Sequence, residues 1–230
     1  MPAVVTIERM PLALVTGAAR ADSIAAGIVR RLAADGWDVV TSDLSTGDFP
    51  CDLSDPVAPT ALIERVTRER STLSALVLSH AYDVESGILD TTAESFDEHV
   101  AVNARATLLM IAAFARQVDA TGGAIVAFTS DHTTGNLPYG ASKGALDRIV
   151  ISAARELGPR GISANVVNPG PIDTGWMDEE TRTALTAMHP LGRSGTPKDI
   201  AALTSFLLSD EGRWVSGQLL HADGGFSARF

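Results

Sequence analysis

The run TSDHTTGNLPYGASKGAL, Thr129 to Leu146, places Tyr139 four residues ahead of Lys143, with Ser130, Asp131 and His132 just upstream. On a helix, residues four apart share one face, one turn from each other. An ammonium beside a phenol favours the phenolate and lowers its pKa. Such a phenol can donate and accept a proton near neutral pH. Standing alone, the pair is also what an ordinary helix surface presents. The elements around it must decide between the two.

Those elements alternate. LALV (Leu12 to Val15) reads as a buried strand, followed by a helix whose stripe is Ile24, Ile28 and Leu32. Gly36 stops that helix and WDVVTSD resumes as a strand. Asp55-Pro56 is expected to open a second helix, with Asp as N-cap and Pro at the first position. LSALVLS is a strand, Phe96 through Val118 one long helix, and GGAIVAFTS a strand. Leu146, Ile149, Val150, Ala153 and Leu157 stripe the next helix, which ends at Gly158-Pro159. ISANVVNPG, a helix capped by Thr196-Pro197, and GQLLHADGG complete the pattern. Strands apolar on both faces, alternating with helices, predict an α/β fold with a doubly wound parallel sheet. Thr174 to Arg193 carries charges, Trp176 and Met177 but no clear strand. It reads either as a segment over a pocket or as a surface excursion. Residues 1–10 read as a loose arm, and no linker or repeat divides the chain.

The 230 residues fit one large α/β domain, and 45% hydrophobic content suits a packed core. A net charge of −10 without a Lys/Arg cluster excludes a nucleic-acid or acidic-membrane surface. One cysteine, Cys51, precludes an internal disulfide and reads as an apolar filler in a reducing compartment. The N-terminal residues lack a basic segment followed by an apolar core, and no run reaches membrane-spanning length. A cytoplasmic protein acting on a small molecule is expected.

In open α/β sheets a dinucleotide pyrophosphate meets the helix after the first strand. Here that turn is TGAARADSIA. Gly17 suits a tight turn, Ser23 an N-cap whose hydroxyl and N–H could face a phosphate, and Ile24-Ala25 a close backbone approach. Asp22 is the misfit and must point away or be offset by Arg20. A capped helix that binds nothing is the other reading of this stretch. The second strand ends at Asp43, placed to accept hydrogen bonds from an adenosine ribose and to repel a 2′-phosphate. This favours NAD over NADP, although Arg20 could salt-bridge that phosphate.

VAFTS, YGASKGAL, NVVNPGPIDT and PLGRSGTPKDIAALTSFLLSDEGRWVSGQLLHADGG, in that order, resemble the short-chain dehydrogenase/reductase family, and the resemblance spans Leu12 to Gly225. It implies a three-layer α/β/α Rossmann fold with a mostly seven-stranded parallel sheet, NAD or NADP as cofactor, and a homo-oligomer, tetramer or dimer. It implies Tyr139 as general acid/base and Lys143 as the residue that holds the nicotinamide ribose and lowers the tyrosine pKa. Ser130 would orient the substrate oxygen, and Asn103 would support a water relay to the lysine. Asp52 and Leu53 would contact adenine. Pro169, Gly170, Ile172 and Thr174 would frame the nicotinamide amide and phosphate. The implied reaction interconverts a secondary alcohol and a ketone, including a 3-oxoacyl thioester.

Three departures mark this chain. Its first turn is similar to the G-x5-S-x-A form of the divergent branch containing enoyl-acyl-carrier reductases, so reduction of C=C is an alternative. Ser79-His80-Ala81-Tyr82 replaces Asn-Asn-Ala-Gly after the strand, so packing under the cofactor must differ. Ser130 lies nine residues before Tyr139 rather than about thirteen, which makes Asp131, His132 and Thr133 candidates for a substrate wall. A dinucleotide-binding protein without turnover is the reading from another class, and the intact Tyr139/Lys143 pair argues against it.

Overall fold

The computed structural model describes residues 10–132, 134–175 and 177–228. Nearly all of the expected N-terminal arm, together with Thr133 and Trp176, lies outside the described residues.

Strand β1 (Leu12–Thr16) is buried throughout. Successive side chains face opposite sides of a strand, so Leu12 and Leu14 enter one core while Ala13 and Val15 enter another. Strands β3 (Ala75–Leu78) and β4 (Gly123–Phe128) divide in the same way. Helices α2 (Ala58–Glu69), α4 (Ala106–Gln117) and α5 (Leu137–Leu157) cover the first face. Helices α1 (Ile24–Ala34) and α7 (Pro197–Leu208) cover the second. Two covered faces are the reason the strands read as continuous apolar runs.

With β2 (Asp38–Ser42), β5 (Ile162–Asn168) and β6 (Leu219–His221), the sheet is parallel and ordered β2-β1-β3-β4-β5-β6. The chain runs outward from β1 to β2 and then crosses back to β3. The order therefore reverses between β1 and β3, where such sheets open a crevice at the strand C-termini.

The seventh strand implied by the resemblance is corrected to an edge contact. The N–H groups of Phe49 and Cys51 donate to the carbonyls of Thr41 and Asp43, at 3.0 and 2.9 Å, along the outer edge of β2. The Gly47 turn (φ 88°) on one side and an Asp52 turn on the other (Ser54 N to Asp52 Oδ1, 2.9 Å) leave no room for more ladder. Helix α2 also starts later than the Asp55-Pro56 signal suggests. Asp55 Oδ1 accepts from Val57 N at 2.8 Å and closes a local turn, one of the options an Asp side chain offers in competition with a helix start.

The long helix expected over Phe96–Val118 is α3 (Ala93–His99), a π-helical turn (Val100–Arg105) and α4 in continuous succession. Widened turns of this kind occur mostly at functional sites, and this one contains Asn103. Between Thr174 and Arg193 the structure places α6 (Glu179–Met188), which no apolar stripe signalled. Asp178 caps it by accepting from Thr181 N at 2.8 Å, and Glu179 and Glu180 suit its N-terminal dipole. Arg182 ties this helix to the chain before it, with Nε 2.9 Å from Asp173 Oδ2 and Nη2 3.2 Å from Met177 O. The Ser23 and Thr196 caps form as the sequence signals, the latter as a capping box with Asp199.

Candidate active site

A cavity of about 720 Å³ opens at the switch point, within the ~300–1,000 Å³ typical of small-ligand sites. Gly17 forms its floor between β1 and β3. It holds φ 77°, and a Cβ there would stand 2.5 Å from Ser79 O and 2.8 Å from His80 N. Only a glycine lets the two strand ends approach so closely. Ser23 and Ile24 bring the N-terminus of α1 to the wall, and Ser23 Oγ accepts from Ala26 N at 3.1 Å. The helix start and this cradle fit a pyrophosphate.

Asp22, the misfit of the sequence, is offset by Arg20. The arginine Nε lies 3.2 Å from Asp22 Oδ1 and lowers the carboxyl pKa through that hydrogen bond. Arg20 also donates to Thr174 O, and a Cβ on Gly175 would meet Asp22 Oδ2 at 2.7 Å. The first turn is thereby tied to the start of the region before α6.

At the far end, Asp43 Oδ2 accepts from Ala19 N at 3.0 Å and Oδ1 accepts from Leu44 N at 2.8 Å. The carboxylate thus faces the first turn from the tip of β2, where a ribose acceptor belongs. Asp52 and Leu53 line the same end. Cys51 lines it too, half-buried, with burial the main cause pushing its thiol pKa up. An inert filler would have that environment.

Ser79, His80 and Ala81 line the cavity from the end of β3, but the His80 ring packs beneath it. Val102 O can only accept, so Nε2 (3.2 Å away) carries the proton, and Nδ1 accepts from Thr16 Oγ1 at 2.8 Å. Burial, and then the Lys143 ammonium, pull its pKa down to about 3. His80 is therefore a neutral strut with both nitrogens engaged.

Lys143 is buried on α5 and donates from Nζ to Phe128 O at 2.9 Å and His80 O at 3.5 Å. Its position is held from the helix side as well. Asn103, fully buried, donates from Nδ2 to Ser142 Oγ (2.9 Å) and Tyr82 O (2.9 Å), and its Oδ1 accepts from Tyr82 N (2.8 Å). Ser142 Oγ in turn donates to Tyr139 O at 2.8 Å. Asn103 thus clamps the chain after β3 to the helix turn carrying Tyr139 and Lys143.

Here one expectation is reversed. The Lys143 ammonium stands 5.6 Å from the centroid of the Tyr139 ring, over its face. Burial first, and the Asp83 charge second, push the phenol pKa well above its ordinary value. Two of the three ammonium donors go to main-chain carbonyls, and a phenolate in this half-buried position is disfavoured.

Burial pulls Lys143 down to about 8, against the raising pull of Asp147 and Asp83. The unfolded chain keeps that proton to a higher pH, so below pH 8 the full cost of burying the charge is present. It fades as pH rises from 8 towards the unfolded value. Replacing Lys143 by Met should therefore abolish turnover yet stabilise the fold at pH 7, by up to roughly 3 kcal/mol. Thermal melts across pH 7 to 10 should show that gain shrinking with pH. A destabilised variant at pH 7 would refute this account of Lys143.

The remaining sequence candidates are spread around this core. Ser130, at the end of β4, accepts at Oγ from His132 N at 3.1 Å, a turn that closes the short loop. Asp131 and His132 are exposed. Gly170 (φ 62°) packs on Asp223, where a Cβ would meet that residue's Cβ at 2.5 Å. Ile172 is buried in a bridge to Gly195. Thr174 lines the cavity, whereas Pro169, Gly170, Ile172, Ser130, Tyr139 and Lys143 stand outside its wall. Sequence reasoning missed Ser142, Tyr82, Asp83, Glu98 and Asp147. Ser142 and Tyr82 lay within quoted stretches; Asp83, Glu98 and Asp147 sit where nothing but the fold brings them near the site.

A family model described as enoyl-(acyl carrier protein) reductase matches residues 17–227. An uncharacterized oxidoreductase, YjdA of Bacillus subtilis, is 35% identical, covering 94% of this chain and 96% of that protein. The (3R)-3-hydroxyacyl-CoA dehydrogenase of Mus musculus is 32% identical, covering 94% of this chain and 96% of that protein. A short-chain dehydrogenase from Burkholderia cenocepacia, solved in complex with NADP, superimposes with a TM-score of 0.83 at 31% identity, covering 94% of this chain and 97% of that one. Among the described residues no helix is long and apolar enough to cross a membrane, and no His/Cys/Asp/Glu group could hold a metal ion. The nucleotide cradle at the switch point, the Tyr139/Lys143 helix and these likenesses together place the chain in the short-chain dehydrogenase/reductase family of oxidoreductases.

Proposed function

We propose that the protein interconverts a secondary alcohol and a ketone, using NAD in preference to NADP, and that a 3-oxoacyl thioester falls within its range. The observation that carries this reading is the buried Lys143 ammonium. It joins the Tyr139 ring to the carbonyl of His80 in the cavity wall. A bound nicotinamide supplies or accepts the hydride. Tyr139 gives its phenolic proton to the carbonyl oxygen on reduction and takes it from the hydroxyl on oxidation. Lys143 holds the cofactor ribose and balances the charge of the phenol. Ser130 orients the substrate oxygen, and Asn103 keeps the tyrosine helix in register with the cavity wall. The high pKa of the phenol suits the reductive direction, in which it must arrive protonated.

Oxidation of NADH on a panel of ketones tests this reading. Activity confined to an enoyl thioester would select C=C reduction, and cofactor binding without any turnover would select a binding protein. We also read the protein as a cytoplasmic homo-oligomer.

The cofactor preference rests on two side chains. Asp43 presents a carboxylate toward the first turn, where it would repel a 2′-phosphate, and Arg20 is committed to Asp22 and Thr174 O. Wild type should show a lower KM for NADH than for NADPH, and Asp43→Ala should narrow the gap by about tenfold. A wild-type preference for NADPH would refute the assignment.

A further inference from the structure

We propose that Asp83 selects the substrate: its carboxylate receives a hydroxyl or ammonium group carried within a few atoms of the reacting carbon, and it turns away carboxylates at that position. The proposal rests on the alcohol–ketone reading above and names the class of compound that site takes.

Asp83 lines the cavity together with Tyr82, just past the end of β3. Its segment is fastened to the start of α5 in two places. Asn136, buried just ahead of the helix, donates from Nδ2 to Asp83 Oδ1 at 2.6 Å. Leu137 N donates to Ser86 O at 3.0 Å. The loop is also braced from below, where Val84 N donates to His99 Nε2 at 3.1 Å and the Tyr82 ring stands edge-on to His99 at 4.7 Å. A carboxylate on a loop so tied is fixed relative to Tyr139, two residues into the same helix. Its charge reaches both Tyr139 and Lys143.

Asp83 is nevertheless not consumed by the fold. It is exposed, and among the described residues Oδ1 takes only the Asn136 bond while Oδ2 takes none. Cations on the flanking elements are engaged elsewhere: Lys143 on Phe128 O, Arg182 on Asp173 and Glu179, Arg20 on Asp22. From Ser79 to Ala104 the chain has no lysine or arginine at all. An exposed carboxylate tied to the start of the tyrosine helix, with a spare acceptor and, among the described residues, no ion-pair partner, is a receptor for a donor on the ligand. Hydrogen bonds to charged groups discriminate strongly between ligands with and without the donor. A ligand carboxylate would meet like charge there.

The test uses purified full-length protein, NADH, and four ketones of one skeleton: methyl propyl ketone, its terminal hydroxy and diethylamino derivatives, and levulinate. Wild type should prefer the hydroxy and amino ketones to the unsubstituted one by about tenfold in kcat/KM, mostly through KM, with levulinate lowest. Asp83→Asn keeps an acceptor for Asn136 and removes the charge. It should erase the preference for the amino ketone over the unsubstituted one and raise levulinate relative to the unsubstituted ketone. Glu85→Gln, a neighbouring exposed residue with the same charge change, should alter none of these ratios. The inference is overturned if wild type prefers levulinate, if Asp83→Asn leaves the ratios unchanged, or if Glu85→Gln reproduces its effect. Turnover of all four ketones with unchanged ratios overturns the role of Asp83 alone. No turnover of any ketone by wild type removes the alcohol–ketone reading and this inference with it.

Discussion

Tyr139→Phe is expected to lower kcat/KM for ketone reduction by about 10² to 10⁴, the range for losing a positioned general acid. The substitution removes one oxygen and leaves the ring in place. The contact with the Lys143 ammonium, 5.6 Å from the ring centroid, persists, as does the Ser142 hydrogen bond to the Tyr139 main-chain carbonyl. Cofactor affinity, read by quenching of protein fluorescence on NADH addition, should therefore change little. Thermal stability should hold or rise, because the phenol is half-buried and, among the described residues, no hydrogen bond satisfies its hydroxyl. Full activity in the variant would show that another group moves the proton and would end the mechanism. Lost activity with lost cofactor binding would point instead to a collapsed site.

Gly17→Ala should be the most damaging small change in the first turn. The new Cβ would lie 2.5 Å from Ser79 O, 2.7 Å from Ser79 C and 2.8 Å from His80 N, all main chain, at φ 77°. Nothing there can rotate aside, so β1 and β3 must part at their C-terminal ends. Left-handed backbone alone costs about 1–2 kcal/mol for an L-residue, and the steric displacement raises the total to roughly 3–5 kcal/mol. A urea midpoint and NADH affinity measured on the same preparation should both fall. Gly36→Ala is the matched comparison: its φ is 87°, but a Cβ would meet nothing within 4 Å. It should cost only the backbone part. Equal losses at the two positions would remove the close strand approach as an explanation.

Much of the frame was legible along the chain. The stripe of α1, the Ser23 and Thr196 caps, the Gly36 and Gly158 stops and all six strands arise from neighbours in sequence. Helix α6 escaped because none of its residues is buried, so it leaves no apolar period to read. The start of α2 was misplaced because Asp55 serves a turn as readily as a helix cap. Phe49 to Cys51 makes two ladder bonds beside β2 where the sequence reading placed no strand, since the flanking turns decide its length.

By itself the sequence determined what depends on short range: alternation into a parallel sheet, the glycine that the first turn requires, and a tyrosine one turn from a lysine. Side-chain periods and cap chemistry are written within a few residues, so they need no fold to express them. Tertiary structure alone decided where the charges are spent. The phenol pKa rises rather than falls because the fold buries it and brings the Asp83 charge near, while Lys143 meets the carbonyls of Phe128, at the end of β4, and His80, just past β3. His80 is neutral because burial and then the Lys143 ammonium pull its pKa down, and Asp83 reaches the tyrosine because Asn136 holds it there. Burial and Coulomb interactions depend on which distant segments converge, and that information exists only once the chain has folded.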